Sequence, residues 1–420
     1  MLGSRMSEQR IDSDRLKRDF DLLAEIGSTG DGGVHRPALS DAHLEARRWF
    51  RERIETDGFD FHVDGAGNHS ARLPCASPGA PTLLLGSHLD SVPNGGRFDG
   101  ALGVLTALEV LRAVRDTGTS LPVHLEAIDF TDEEGSLVGL LGSRAIAGVL
   151  DPAEFAGDDR RSLRDALARG GLSPEGVVTA RREAGSLAGF LEVHIEQGPR
   201  LRETRVSIGI VTSIAGIASG ILVLTGRADH AGTTPMGARR DAGLGAATLI
   251  TRAAARVKRD FPGCVINFGR VGFSPGAYNI VPGGAELAVE FRAGDAETLA
   301  QLETTLTDLF GEAARHHGLE MDFRPRATLP PAPCATEVQA AFGAACEHLD
   351  LRHVSLASGA GHDTGIVATV CPAGMILIPS TGGSHSPREF AEWDDCVNGA
   401  NVMLVAALRL AERVGDVDAG

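Results

Sequence analysis

Lysine is almost missing from this 420-residue sequence, occurring only at Lys17 and Lys258, and the excess of acidic over basic groups leaves a formal charge of -16. That balance argues against a nucleic-acid partner, which needs a basic face to neutralise phosphates. No apolar run is long enough to span a bilayer, and residues 1–18 are polar and charged, without the apolar centre of a secretory leader. A cytoplasmic protein with no membrane contact is expected. Cysteine is sparse and irregular: Cys75, Cys264, Cys334, Cys346, Cys371 and Cys396 form no C-x-x-C pair. Neither a disulfide framework nor a zinc ribbon follows from that pattern, so the thiols are expected to be reduced and mostly buried.

The length exceeds one ordinary core, which leads to an expectation of two domains of roughly 100–200 residues each. Residues 11–26 and 40–57 carry helical apolar spacing, the second opening on Ser40 as a cap. Four short apolar runs, residues 81–87 (PTLLLGS), 123–130 (VHLEAIDF), 190–195 (FLEVHI) and 375–379 (MILIP), have the length and flanking turns of strands buried in a sheet. Between the first two, Val104, Leu105, Leu108 and Leu111 mark one helix stripe. Strand, helix and strand in that order imply an α/β layer with parallel pairing. From residue 213 the pattern becomes strand, helix, strand, strand, helix, strand, which is the split β-α-β-β-α-β unit. It reads as an insertion: catalytic domain over 1–212 and 329–420, inserted domain over 213–328.

Histidines and carboxylates sit just beyond the four runs. His88 and Asp90 end the first, Glu133 and Glu134 follow the second, His194 closes the third, and His385 follows the fourth after a glycine turn. Asp99 lies on the glycine-rich loop 93–100 (PNGGRFDG) that enters the helix. Ligands in an open α/β sheet bind outside the carboxyl ends of its strands, so these loops are expected to meet at one rim. Three imidazoles with several carboxylates form a mixed nitrogen and oxygen donor set suited to zinc, manganese or cobalt. One ion needs three protein ligands and an open position, whereas this many donors suit two ions about 3.5–4 Å apart with a bridging carboxylate. The Glu133–Glu134 pair then divides its work, one carboxylate binding metal and the other moving a proton from water to the leaving nitrogen. Asp90 is placed to hold the His88 imidazole from behind. A histidine at a strand end is ordinarily just solvated, and a Glu-Glu pair is ordinarily a surface turn. Their coincidence at one rim carries the reading.

Motifs run along nearly the whole chain: GSHLDSVPNGGRFDGALGV (86–104), FTDEEGS (130–136), LEVHIEQGP (191–199), ADHAGTTPMGARRDA (228–242), AYNIVP (277–282), SGAGHD (358–363) and TGGSHSPRE (381–389). On these the sequence resembles the N-carbamoyl-L-amino acid hydrolase and allantoate amidohydrolase branch of the two-metal aminoacylase and carboxypeptidase superfamily. The resemblance implies a zinc-exopeptidase-like catalytic domain, with a mixed, mostly parallel sheet flanked by helices, and an inserted α+β ferredoxin-like lid and dimerisation domain. It implies two divalent ions per subunit, zinc or else manganese, cobalt or nickel, on His88, Asp99, Glu134, His194 and His385. Asp99 would bridge them and be followed by a cis peptide, and Glu133 would be the general base. The implied reaction is hydrolysis of an N-carbamoyl (ureido) amino acid to the amino acid, ammonia and carbon dioxide. Allantoate, β-ureidopropionate, an N-acyl amino acid or a dipeptide are the alternative substrates, and a non-catalytic metal-binding homologue is the alternative of a different class.

On the substrate side, Arg292 offers a planar fork for a carboxylate, and Asn279 adds a donor to the same group. Gln197 is placed to meet the ureido or carboxylate end, and Gly359 and Gly361 allow close backbone approach. His230 is expected to stabilise the oxyanion formed on attack at the carbonyl. The resemblance further implies that this histidine and the carboxylate-binding residues reach the site across a homodimer interface. The sequence departs from the family's pattern after Glu134: residues 135–141 read GSLVGLL, a shorter loop without the usual arginine and aromatic ring.

Overall fold

The computed structural model describes residues 9–183 and 185–418; the ends of the expected catalytic domain, 1–8 and 419–420, lie outside the described residues. Two compact units emerge along the chain. The first comprises Met1–Thr212, Cys334–Leu356 and Ala360–Gly420, and the second Ser213–Pro333 with Ala357–Gly359. In chain order the strands are β1 (Asp60–Val63), β2 (His69–Leu73), β3 (Thr82–His88), β4 (His124–Phe130), β5 (Leu187–Ile195), β6 (Ile208–Ile214), β7 (Gly216–Thr225), β8 (Asp229–His230), β9 (Val265–Ser274), β10 (Ile280–Val281), β11 (Gly284–Ala293), β12 (Glu320–Leu329), β13 (Ala332–Pro333), β14 (His353–Ser358) and β15 (Ala373–Ile378).

Four strands in the order β4-β3-β5-β15 are parallel and form the middle of the first unit's sheet. β2 and β1 continue it antiparallel on one side and β6 on the other. β3, β4 and β15 are buried along their whole length, as parallel strands covered on both faces must be. Pleating assigns alternate residues to two cores. Leu83, Leu85, Val193 and Ile376 pack with Leu105, Leu108 and Val402 on one face, while Leu84, Ile128 and Phe190 pack with Ile146 and Val367 on the other.

Ser40 caps the helix Asp41–Thr56, accepting from the His43 N–H at 3.3 Å. The helix Ala101–Asp116 differs from expectation: instead of one buried stripe, every residue through Val114 is buried. It lies between the sheet and the helices Ser13–Glu25 and Trp393–Asp418. Its two buried charges are accordingly paired, Glu109 with Arg15 at 2.7 Å and Arg112 with Asp19 at 2.7 Å and Asp57 at 2.6 Å.

The second unit is a four-stranded antiparallel sheet ordered β12-β7-β11-β9, with the helices Ala242–Asp260 and Ala296–His316 on one face. Burial alternates strictly along β11, where Ala285, Leu287, Val289, Phe291 and Ala293 point into a core shared with Leu249, Leu302 and Phe310. The first of these helices starts at Ala242, where Asp241 caps it by accepting from the Gly243 and Leu244 N–H groups. β9 forms one edge, and its Val265, Val271 and Phe273 are exposed. Among the described residues, no helix is long and apolar enough to cross a membrane. All six cysteines are free, four of them buried.

Candidate metal centre

Because β3, β4, β5 and β15 run the same way, their carboxyl ends share one edge of the sheet. His88 ends β3, His194 is next to last in β5, the turn with Glu133 and Glu134 leaves β4, and the loop with His385 leaves β15. Their donor atoms meet. Three groups each have all ligand atoms within 4.8 Å of one another: His88, Asp99 and His194; His88, Glu133 and Glu134; Asp99, Glu134 and His385. Asp99 belongs to the first and the third. Its Oδ1 lies 3.0 Å from His194 Nε2 and 3.5 Å from His88 Nε2, while its Oδ2 lies 3.7 Å from His385 Nε2. Glu134 approaches His385 Nε2 at 3.4 Å, and Glu133 approaches His88 Nε2 at 3.6 Å.

The surrounding chain orients each donor. Nδ1 of His88 bonds to the Asp90 carbonyl at 3.0 Å, which turns Nε2 towards the carboxylates. Asp90 thus holds the ring from behind through its main chain, its carboxylate Oδ1 lying 3.8 Å from Nδ1. Its oxygens instead accept the backbone N–H groups of Glu133 and Glu134, both at 3.2 Å, and so fix the turn that presents the two acids. The expected cis peptide after Asp99 is absent; Ser274–Pro275 is the cis bond among the described residues. Gly100 makes the turn instead, at φ 63° and ψ -50°, and a Cβ there would overlap the His88 ring. Gln197 points at Asp99 rather than into open space, donating from Nε2 to Oδ2 at 2.8 Å, and its Oε1 is buried without a partner.

Sequence reasoning missed three elements of this support. Arg47, from the helix Asp41–Thr56, donates to Asp129 at 2.8 Å and to Thr131 at 2.9 Å; Asp129 accepts from the Leu89 N–H at 2.8 Å. One buried ion pair therefore joins the backbone after His88 to the strand end before Glu133. An arginine inside an amphipathic helix gives no sign of this from spacing alone. Replacing Arg47 by Met leaves Asp129 buried and unpaired. It is expected to destabilise the fold by about 3–5 kcal/mol, read as a lower urea midpoint at unchanged slope. The second element is Glu192, fully buried two residues before His194, which accepts from Ser87 Oγ at 2.8 Å and Thr364 Oγ1 at 2.7 Å. The third, Glu389, lies in the TGGSHSPRE motif and accepts from the Asp99 N–H at 3.1 Å.

The electrostatics reflect acids crowded out of water. Burial pushes the Glu133 carboxyl well above the usual range, with Asp363, Glu134 and Asp99 adding to the rise and His88 opposing it. Burial, then the Asp99 charge, pushes Glu134 up to about 8. Asp99 goes the other way: burial raises it, but the charges and hydrogen bonds of His194 and His88 outweigh that and hold it well below the ordinary value. Burial lowers His194, yet Asp99 at 3.0 Å brings it up to about 9. Bound positive charge, such as divalent cations supply, offsets this crowding of buried acids. A shared carboxylate, three imidazoles and two further acids are a donor set that fits such ions.

The remaining expected substrate residues, apart from Gly361, lie in the second unit. His230 and Asn279 are neighbours there: β8 pairs with β10, Ile280 opposite His230, and the Asn279 carbonyl accepts from the Ala231 N–H at 3.0 Å. Arg292 bonds Glu290 at 2.8 Å and the Gly359 carbonyl at 2.8 Å. Arg292 and Asn279 do not come together. Gly284 at one end of β11 faces Thr225, whereas Arg292 faces Ile217, eight residues along, or about 25 Å of strand. Within one unit Arg292 and the β8–β10 hairpin next to Asn279 therefore stand towards opposite ends of β11. Gly361 is in the first unit, and none of the described residues would crowd a Cβ at it or at Gly359.

Comparison with known proteins follows the same outline. The model of peptidase family M20/M25/M40 matches residues 84–409. An N-carbamoyl-L-amino-acid amidohydrolase of Paenarthrobacter aurescens is 35% identical, covering 95% of this chain and 98% of its own. The N-carbamoyl-L-amino acid amidohydrolase of Geobacillus stearothermophilus is also 35% identical, covering 96% and 99%. Among solved structures, a hydantoinase/carbamoylase family amidase from Burkholderia multivorans superimposes with a TM-score of 0.88 at 34% identity, covering 96% of this chain and 98% of that one. The family is metal-dependent, in keeping with the ligand groups at the strand ends. With a matching family model, full-length relatives and the same fold, this chain belongs to peptidase family M20/M25/M40, among its hydantoinase/carbamoylase amidases.

Proposed function

We propose that the protein hydrolyses the C–N bond of an N-carbamoyl amino acid, releasing the amino acid, ammonia and carbon dioxide. The observation that carries this reading is Asp99, shared by two ligand groups that have Glu133 beside them. His88 and His194 would hold one divalent ion and Glu134 and His385 the other, with Asp99 common to both; zinc, manganese, cobalt or nickel suits these donors. Bound ions would acidify water and polarise the carbamoyl oxygen.

Within that frame Glu133 takes a proton from the attacking water and delivers it to the amino nitrogen as the C–N bond breaks. Its raised affinity for protons, which follows from burial, suits a group that must both accept and release one. The carbamate left behind decomposes to ammonia and carbon dioxide. Gln197 beside Asp99 orients the ureido end, and the Gly361 backbone is open to the substrate. Arg292 binds the α-carboxylate, with its fork already oriented by Glu290 and the Gly359 carbonyl. Arg292→Lys keeps the charge but loses the paired geometry, about 1.5–3 kcal/mol of charge-assisted hydrogen bonding. A KM higher by about 10–100-fold with a smaller change in kcat is expected from steady-state rates.

We infer that the protein works as a homodimer in which His230 and Asn279 serve the centre of a second copy. Their separation from Arg292 along β11 and the exposed apolar edge β9 support this. Mixing inactive Glu133→Gln and His230→Ala subunits then restores about one site in four; if His230 acted within its own chain, the mixture would stay dead. The six free thiols accord with a cytoplasmic setting. The substrate assignment is tested by following ammonia and free amine from carbamoyl, formyl, acetyl and ureido acids with metal-loaded protein. Stoichiometric ammonia and amino acid from carbamoyl substrates is the expected result. Release only from acyl or dipeptide substrates would overturn it.

A further inference from the structure

Glu389 is a buried acid, 4% exposed, that none of the steps above uses. Its Oε1 accepts two consecutive backbone N–H groups, from Phe98 at 3.3 Å and from Asp99 at 3.1 Å. Gly96 passes so close that a Cβ on it would overlap the carboxylate. On the other side Glu389 is anchored in the loop that carries His385. Thr381 and Phe390 close that loop with reciprocal backbone bonds of 2.8 and 2.9 Å, and the Glu389 N–H bonds to the Ser386 carbonyl at 3.0 Å. His385 occupies the half-exposed tip at φ 54°, and Glu389 the buried base. One carboxylate thus fastens the loop presenting His385 to the backbone of Asp99. Its second oxygen is buried without a partner, an arrangement that costs stability and calls for an explanation.

We propose that Glu389 is a positioning residue: by accepting from the Phe98 and Asp99 amides it sets the direction of the carboxylate common to both ligand groups and seats the His385 loop against it. The proposal rests on the reading of Asp99 as a shared metal ligand. Outer groups of this kind typically govern metal affinity by 10–100-fold without touching the ion. Zinc is the probe, with affinity measured by competition against a chelating indicator alongside kcat and KM. Glu389→Ala is expected to weaken zinc binding by about 10–100-fold and to lower kcat with little change in KM. Glu389→Gln, which keeps an oxygen acceptor in place, restores most of that affinity. Should the alanine variant fold poorly, Gly96→Ala displaces the carboxylate from the opposite side while retaining it, and the same loss of affinity is expected. Parental zinc affinity in both Glu389→Ala and Gly96→Ala, or Glu389→Gln no better than alanine, overturns the assignment. A parent protein that binds no zinc overturns the metal reading itself, which separates the two failures.

Discussion

Glu133→Gln should reduce kcat by about 10²–10⁴-fold while the protein still binds two ions. The glutamine has the size of the acid and keeps its hydrogen-bonding capacity, but it cannot take up a proton. Its place is held by the main chain, because Asp90 fixes the amides of both Glu133 and Glu134 at 3.2 Å. Loss of rate therefore reports lost proton transfer rather than a displaced side chain. Substrate binding should survive, leaving KM within a few-fold of the parent. Full activity at unchanged metal content would remove Glu133 from the chemistry, whatever its position beside His88.

The second large effect is expected at Asp99. Asn at this position retains one oxygen acceptor, enough for a contact with His194 or His385 but not for both groups at once. Zinc stoichiometry should fall from two ions to one or none, and kcat/KM should fall by more than the roughly 100-fold that loss of an outer partner causes. Metal analysis after dialysis, together with steady-state rates, checks both. A variant that keeps two ions and most of its activity would show that Asp99 is dispensable as a bridge. The larger effect at Asp99 than at Glu389 also follows, because one residue supplies the ligand atoms and the other only directs them.

Much of this centre was legible from the sequence, for a physical reason. Four short apolar runs flanked by turns imply strands buried in a sheet, and the order strand, helix, strand implies that they pair in parallel. Parallel strands put all their carboxyl ends on one edge, so His88, Glu133, Glu134, His194 and His385 had to meet there, and their donor atoms do. Partners that act through the main chain were hidden. Asp90 holds His88 by its carbonyl and the Glu133–Glu134 turn by its carboxylate, two contacts that residue spacing cannot distinguish. Glu389 escaped notice for the same reason, since it binds amides whose residues carry no mark of it. The gap between Arg292 and Asn279 depends on strand register, which in β11 is set by alternate packing on the two helices. The turn after Asp99 followed glycine's positive φ instead of the cis bond suggested by resemblance.

The account depends on two cations flanking a single carboxylate. Crystals grown with zinc, with diffraction recorded at the zinc absorption edge, locate those ions directly. Two anomalous peaks about 3.5–4 Å apart are expected, one against His88 and His194, the other against Glu134 and His385, with Asp99 between them. A single peak, or peaks away from Asp99, would contradict it.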